Sequence, residues 1–262
     1  MVGYTPSALS ILPTKISYTI NTHYRPPATP APIAVTRMKR PQGRTVPAWF
    51  DKLLRWLYHG RDIDGLWVGA ADELILERVV EALRTIEVHD PLRYRRLTHD
   101  LHRIWVTTFL PGSLGAFTPR FRACRLKEEF VGHDDTTLEM IAATIVHEAT
   151  HARLDKCRIE YEESLRARIE AVCFRREIAF AAKLPDGAVV REQAERKLTF
   201  YADPAYWTDA AFHNRDLTEV PQALRQLGAP EWVARVLLGL KAFSRRLQAT
   251  LRAIRRVVRR AR

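Results

Sequence analysis

The chain has 262 residues, 47% of them hydrophobic and 27% charged, with 42 Lys plus Arg against 30 Asp plus Glu. That is globular material, enough for one large domain or two small ones, and 11 Gly with three Cys exclude collagen-like and disulfide-dense classes. A formal charge of +12 points at first to nucleic acid or an anionic membrane.

The charge is unevenly placed. Residues 1–50 hold six bases and no acid, and residues 241–262 hold nine bases and no acid. All 30 acids face 27 bases between 51 and 240, which leaves that part at −3. The middle is close to neutral and the ends supply the positive charge. Residues 1–46 read as a flexible, basic, Pro-rich extension, with eight prolines among the first 50 residues. Pro6 and Pro13 interrupt any apolar signal region. Met38 stands as an alternative start, because MKRPQGRTVPAWF runs straight into the first helical pattern. Cys124, Cys157 and Cys173 form no close pair, which predicts reduced thiols and a cytoplasmic protein. No stretch reaches the roughly 18 apolar residues of a membrane span.

Trp49 to Tyr58 predicts a short amphipathic helix, followed by a loop holding Gly60, Gly65 and Gly69. Ala70 to Val88 carries Leu74, Leu76, Val79, Val80, Leu83 and Ile86 at helical spacing. Asp90-Pro91 opens a further helix through Leu101. Arg103 to Leu110 is rich in β-branched and aromatic residues and predicts a strand, with Pro111-Gly112 as a turn. Phe117 to Val131 alternates loosely and predicts a second, antiparallel partner, which Pro119 assigns to an edge. Two helices follow, Thr137 to about Leu154 and roughly Glu160 to Ala182, the first with Thr136 and Glu139 as a capping box.

Inside the first of these helices, His147, Glu148 and His151 spell HExxH. Residues i and i+4 lie one turn apart on one helix face, so both imidazoles reach a single Zn²⁺. Glu148 is placed to take a proton from zinc-bound water and pass it to a leaving amine. A catalytic zinc needs a third protein ligand. Asp155 is excluded, since an unbroken helix carries it about 12 Å along the axis from His147. Glu170, 19 positions after His151 and on the second helix, is the leading choice. Glu163 is the runner-up, one heptad earlier, and Glu177 comes third.

The assignment requires a break, because one continuous helix would put Glu170 about 28 Å from His151. Charge order supports it: Arg153, Lys156 and Arg158 suit a helix C-terminus, whereas Glu160, Glu162 and Glu163 suit an N-terminus. A turn is expected near Lys156 to Ile159.

From Arg103 to Ala182 the chain resembles the zincin metallopeptidases of the gluzincin type, with HExxH on one helix and a glutamate on the next. The resemblance implies a mixed sheet whose edge strand, here Phe117 to Leu126, pairs with an extended peptide. It departs from the longer zincin pattern at Arg153, where a hydrophobic residue is usual. It also implies a Tyr or His that stabilises the oxyanion; Tyr201, Tyr206 and His213 are available, and none is assigned. Cys124 lacks the glycine-rich surroundings of a deformylase ligand, and Cys124 and Cys173 read as half-buried thiols.

Glu231 to Val258 repeats apolar residues at Val233, Val236, Leu240, Phe243, Leu247, Leu251, Ile254 and Val258, one face of a basic amphipathic helix. Three roles compete for it: packing on the domain, lying on an anionic membrane, and binding nucleic acid or an acidic partner. Nucleic acid is the least favoured, because no aromatics interleave the arginines after Phe243.

The expectation is an α+β, mostly helical fold, in which a small antiparallel or mixed sheet packs on the HExxH helix and a second ligand-bearing helix. The domains are 1–46, 47–230 and 231–262. The expected function is zinc-dependent hydrolysis of a peptide or protein substrate in the cytoplasm or peripherally at the membrane, with His147, His151 and Glu170 as ligands and Glu148 catalytic. The alternative is a non-catalytic binding or regulatory protein with a structural metal, acting through its basic C-terminal helix.

Overall fold

Asp64 and Gly65 both adopt positive φ, 48° and 79°. They form the two-residue Asp-Gly turn whose twist suits adjoining antiparallel strands. The turn joins β1 (His59–Ile63) to β2 (Leu66–Ala70), with Ile63 opposite Leu66 and His59 opposite Ala70. The expected loop through Gly60, Gly65 and Gly69 is therefore a β-hairpin. Its second strand hides from a pattern search, because all five of its residues are buried and nothing alternates. This computed structural model describes Lys52 and residues 55–108, 110–226 and 228–240. The N-terminal extension, half of the helix expected at Trp49 to Tyr58 and the arginine-rich end after 240 lie outside the described residues, while Lys52 and residues 55–57 are helical.

Asp72 caps α1 (Glu73–His89) by accepting from the backbone N–H groups of Leu74 and Ile75. Asp90 ends α1 and caps α2 (Pro91–Asp100), whose proline sits where no intrahelical donor is needed. β3 (Arg103–Thr107) follows, shorter than the expected run to Leu110. β4 (Gly115–Thr118) leads through a 3-10 turn at Pro119–Phe121 into β5 (Ala123–Lys127).

The sheet order is β1-β2-β3-β5-β4. β2 and β5 both run parallel to β3, while β1 and β4 are antiparallel to their neighbours, so the sheet is mixed. Two expectations change here. Phe117 to Leu126 is not one edge strand: it takes in the second half of β4, which is one edge, and most of β5, which lies between β3 and β4. Pro119 does mark the edge, but by ending β4 rather than standing within it.

After a single turn at Glu128–Gly132 (α3), α4 (Leu138–Lys156) carries HExxH. Thr137, one residue later than expected, caps it by accepting from the backbone of Met140. α4 is buried almost all round, which explains its weak amphipathicity: Ile141, Ile145 and Val146 are inside, and Ala142, Ala143, Ala149 and Ala152 keep its surface low. It lies in one apolar core with Val68 of β2, Leu76, Val79 and Leu83 of α1, and Cys124 and Leu126 of β5. Burying each large aliphatic side chain there contributes roughly 1.5–3 kcal/mol. The opposite sheet face holds a smaller cluster of Trp67, Trp105 and Ala123.

α5 (Arg166–Ala181) starts six residues later than expected, then α6 (Ala188–Phe200), a 3-10 turn at Pro204–Trp207 and α7 (Asp209–Gln226) complete the helical half. Residues 231–240 are helical, and Val233, Ala234 and Leu238 pack on Val220 and Leu224 of α7. The expected apolar face is only partly used, since Val236 and Leu240 stay exposed. No described helix is long and apolar enough to cross a membrane.

Candidate metal centre

The site depends on how α4 ends. Arg158 has φ 64°, the backbone N–H of Arg158 donates to Asp155 O at 2.8 Å, and that of Ile159 donates to Leu154 O at 3.0 Å. These paired bonds are a Schellman motif, with an arginine where glycine is usual. The turn falls where the charge order placed it, at Lys156 to Ile159. Residues 160–165 reverse the chain, and α5 returns alongside α4.

That return brings Glu170 between the histidines. Its Oε2 lies 3.2 Å from His147 Nε2 and its Oε1 lies 3.4 Å from His151 Nε2. Donors around a tetrahedral zinc, each about 2.0–2.1 Å from the ion, stand about 3.3 Å from one another. The spacing therefore suits an ion shared by the three residues. Their charges suit one too. Burial pulls the His147 imidazole down, but hydrogen bonds to Glu170 and Glu177 outweigh it and hold it up at about 10. Burial likewise raises the Glu170 carboxyl, and the two histidines overcome it to leave Glu170 far below the ordinary carboxylate value.

The structure separates the other glutamates. Glu177 does not reach the site interior; its Oε2 accepts from His147 Nδ1 at 3.2 Å, on the other side of the ring. With Nδ1 so engaged, the Nε2 of the ring is the nitrogen that faces Glu170. Glu163 is exposed and accepts from the backbone N–H of Asp209 at 3.3 Å, away from the histidines. Glu148 is buried, and desolvation raises its carboxyl above the usual range, against the pull of His147 and His151. It accepts from the backbone N–H of Phe117, so β4 holds the HExxH glutamate. Gly115 permits this approach: a Cβ there would stand 2.8 Å from Thr144 Cγ2 and 3.1 Å from Glu148 Cγ.

Two neighbours escaped the sequence reading. Tyr161 donates its hydroxyl hydrogen to Glu170 Oε1 at 2.6 Å, and its ring lies edge-on to His151 at 5.6 Å. Cys173 places its sulfur so that it and one nitrogen of each histidine all lie within 4.8 Å of one another. It is fully buried rather than half-buried. The sequence held one signal for it: Cys173 follows Glu170 by three residues, on the same helix face.

A cleft of about 1060 Å³ opens over these residues, with β4 on one side and Tyr201, Tyr206 and Phe212 on the other. Phe174 meets the His147 ring edge-on at 4.8 Å, and Tyr201 stacks on Phe174 at 5.7 Å. Of the unassigned oxyanion groups, Tyr201 and Tyr206 line the cleft, while His213 is exposed and does not. Comparison of the chain with family models, with curated proteins and with solved structures finds no match.

Proposed function

We propose that the protein is a zinc-dependent metallopeptidase, its ion held by His147, His151 and Glu170, with Glu148 as the general base. The observation that carries this reading is the approach of both Glu170 oxygens to the two HExxH histidines across a helix break, at 3.2 and 3.4 Å. Zinc in that place would act as a Lewis acid and lower the pKa of a bound water to near 7.

The chain's own groups supply the rest. Glu148 is buried with its carboxyl raised, which suits a residue that takes a proton and then returns it to the leaving amine. The Phe117 N–H lies against that carboxylate and favours its charged form. β4 ends the sheet beside Glu148, so an extended peptide adding to its free edge would bring a scissile bond to the site. The aromatic wall opposite excludes water and supplies the apolar contact a peptide side chain needs. The three cysteines are free, in keeping with action in the cytoplasm.

The test is zinc content and hydrolysis of a peptide library by the wild type and Glu148→Gln. Equimolar zinc in both, with hydrolysis reduced by about 10²–10⁴-fold in the variant, is the expected result. Absence of bound zinc at neutral pH overturns the reading. Bound zinc with no hydrolysis by the wild type transfers it to a structural metal in a binding protein.

One observation favours a second role for the C-terminal helix, at a membrane. Trp232, Val236 and Leu240 follow one another at i+4 spacing and are 60%, 49% and 60% exposed. Nine bases follow residue 240 in the sequence and would attract an anionic lipid surface. Co-sedimentation of the full chain with phosphatidylserine vesicles, and not with phosphatidylcholine alone, is the expected result. Equal failure with both removes this role.

A further inference from the structure

We propose that Cys173 is a ligand to the same ion, a thiolate donor that the HExxH pattern does not itself require. This rests on the metal-site reading above and deepens it. Three observations carry it. The Cys173 Sγ and one nitrogen each of His147 and His151 lie within 4.8 Å of one another. Cys173 sits one turn after Glu170 on α5, so both side chains leave the same helix face toward the histidines. Its burial is of a different kind from that of the other buried cysteine. Cys124 lies in the apolar core with Leu126, Ile141 and Ile145, whereas Cys173, equally inaccessible, belongs to none of the apolar clusters among the described residues. Its sulfur lies instead beside the two imidazoles of the site. A buried thiol that only fills space has aliphatic neighbours.

The chemistry follows from the donor set. A thiolate with two imidazoles is a soft to borderline combination, selecting zinc or cobalt over magnesium, calcium and manganese. On binding, the thiol hydrogen leaves as a proton to solvent, and the sulfur lone pair forms the bond to the ion. With Glu170 beside them, His147, His151 and Cys173 would make four protein donors, the number of a closed tetrahedral site, so a reacting water would have to displace the thiolate. Cys173 thereby distinguishes this centre from one whose protein ligands stop at three.

Cobalt(II) loaded into the full-length chain under reducing, oxygen-free conditions tests this directly. The expected spectrum combines equimolar bound cobalt with a thiolate-to-cobalt charge-transfer band in the near ultraviolet. Cys173→Ser loses that band completely while His147, His151 and Glu170 keep the cobalt, and Cys157→Ser and Cys124→Ala retain it. Bound cobalt without a charge-transfer band in the wild type overturns the proposal and leaves the metal site standing. A band that survives Cys173→Ser overturns it as well. No bound cobalt at neutral pH overturns the metal site and the cysteine ligand together. If Cys173→Ser does not fold, the Cys124→Ala, Cys157→Ser double variant decides: a retained band supports Cys173 as its source, and a lost band overturns the proposal.

Discussion

Glu177 Oε2 lies 3.2 Å from the Nδ1 of His147, and Glu170 Oε2 lies 3.2 Å from the Nε2 of the same ring. One imidazole is thus gripped from both sides by carboxylates seven residues apart on α5, the outer one 3.9 Å from Lys197 of α6. Carboxylates placed behind a metal-binding histidine fix its orientation and raise its basicity. Glu177→Ala is therefore expected to weaken zinc binding by about 10–100-fold, and Glu177→Gln, which keeps an acceptor oxygen, by less. Competition with a chromogenic chelator measures both. Equal affinities for wild type and Glu177→Ala would remove Glu177 from the site.

Gly115 is where the edge strand touches the HExxH helix. A β-carbon there would meet Thr144 Cγ2 at 2.8 Å and Glu148 Cγ at 3.1 Å, and overpacking of this kind costs about 1–3 kcal/mol. Gly115→Ala should lower unfolding stability in that range, and Thr144→Ala in the same chain should recover part of the loss. Denaturant titration of the two single variants and the double variant reads the coupling. Additive effects would show that β4 does not press on α4.

Asp100, at the end of α2, is almost fully buried beside the C-terminal turn of α4, 2.9 Å from Lys156 Nζ and 3.5 Å from Arg153 Nη1. Burial raises its carboxyl, but the hydrogen bonds from Lys156 and His99 outweigh that and hold it below the ordinary value of 3.8. A carboxyl lowered on folding adds stability above its unfolded pKa, and that contribution disappears as pH falls through the folded pKa. The wild type should therefore lose stability below about pH 4. Asp100→Asn should be less stable at pH 7 by about 1–3 kcal/mol, and the gap between the two should narrow as pH falls. A gap that is constant from pH 7 to pH 3 would contradict this.

Arg166 ties the start of α5 to the roof of the cleft. It is buried, and it donates to Trp207 O at 2.8 Å and to Asp209 Oδ1 at 2.6 Å, with its guanidinium 4.9 Å from the Phe212 ring. A lysine reproduces neither the two-pronged donation nor the stacking. Arg166→Lys should accelerate amide hydrogen exchange across residues 204–226 and leave α4 protected. Unchanged exchange in 204–226 would show that other contacts hold the roof.

Local chemistry made much of this legible in advance. HExxH needed only the one-turn spacing of His147 and His151. The break before α5 was placed by charge order, and half of that order holds: Arg153 and Lys156 lie in the last turn of α4, whereas Glu160 to Glu163 lie in the connecting loop and α5 has no acid in its first turn. The β1–β2 hairpin was missed although Asp64-Gly65 spells its turn. The fully buried β2 shows no alternation, and the glycines around it suggested a loop. The sheet's parallel pairs were also hidden, since the partner of β3 is decided by helices that pack from elsewhere in the chain.

By itself, then, the sequence determined a mostly helical α+β chain with a two-histidine metal motif, a nearly neutral middle and two basic ends. These follow from spacing and composition, which act over a few residues. Tertiary structure decided among the glutamates, which heptad spacing alone could not: Glu163 falls in the loop before α5, and the packing of α5 on α4 brings Glu170 to both histidines and Glu177 to the far side of His147. It also turned Cys173 from an ordinary buried thiol into a neighbour of the site. A side chain's burial can be guessed from its type, but what it is buried among depends on contacts made across the fold.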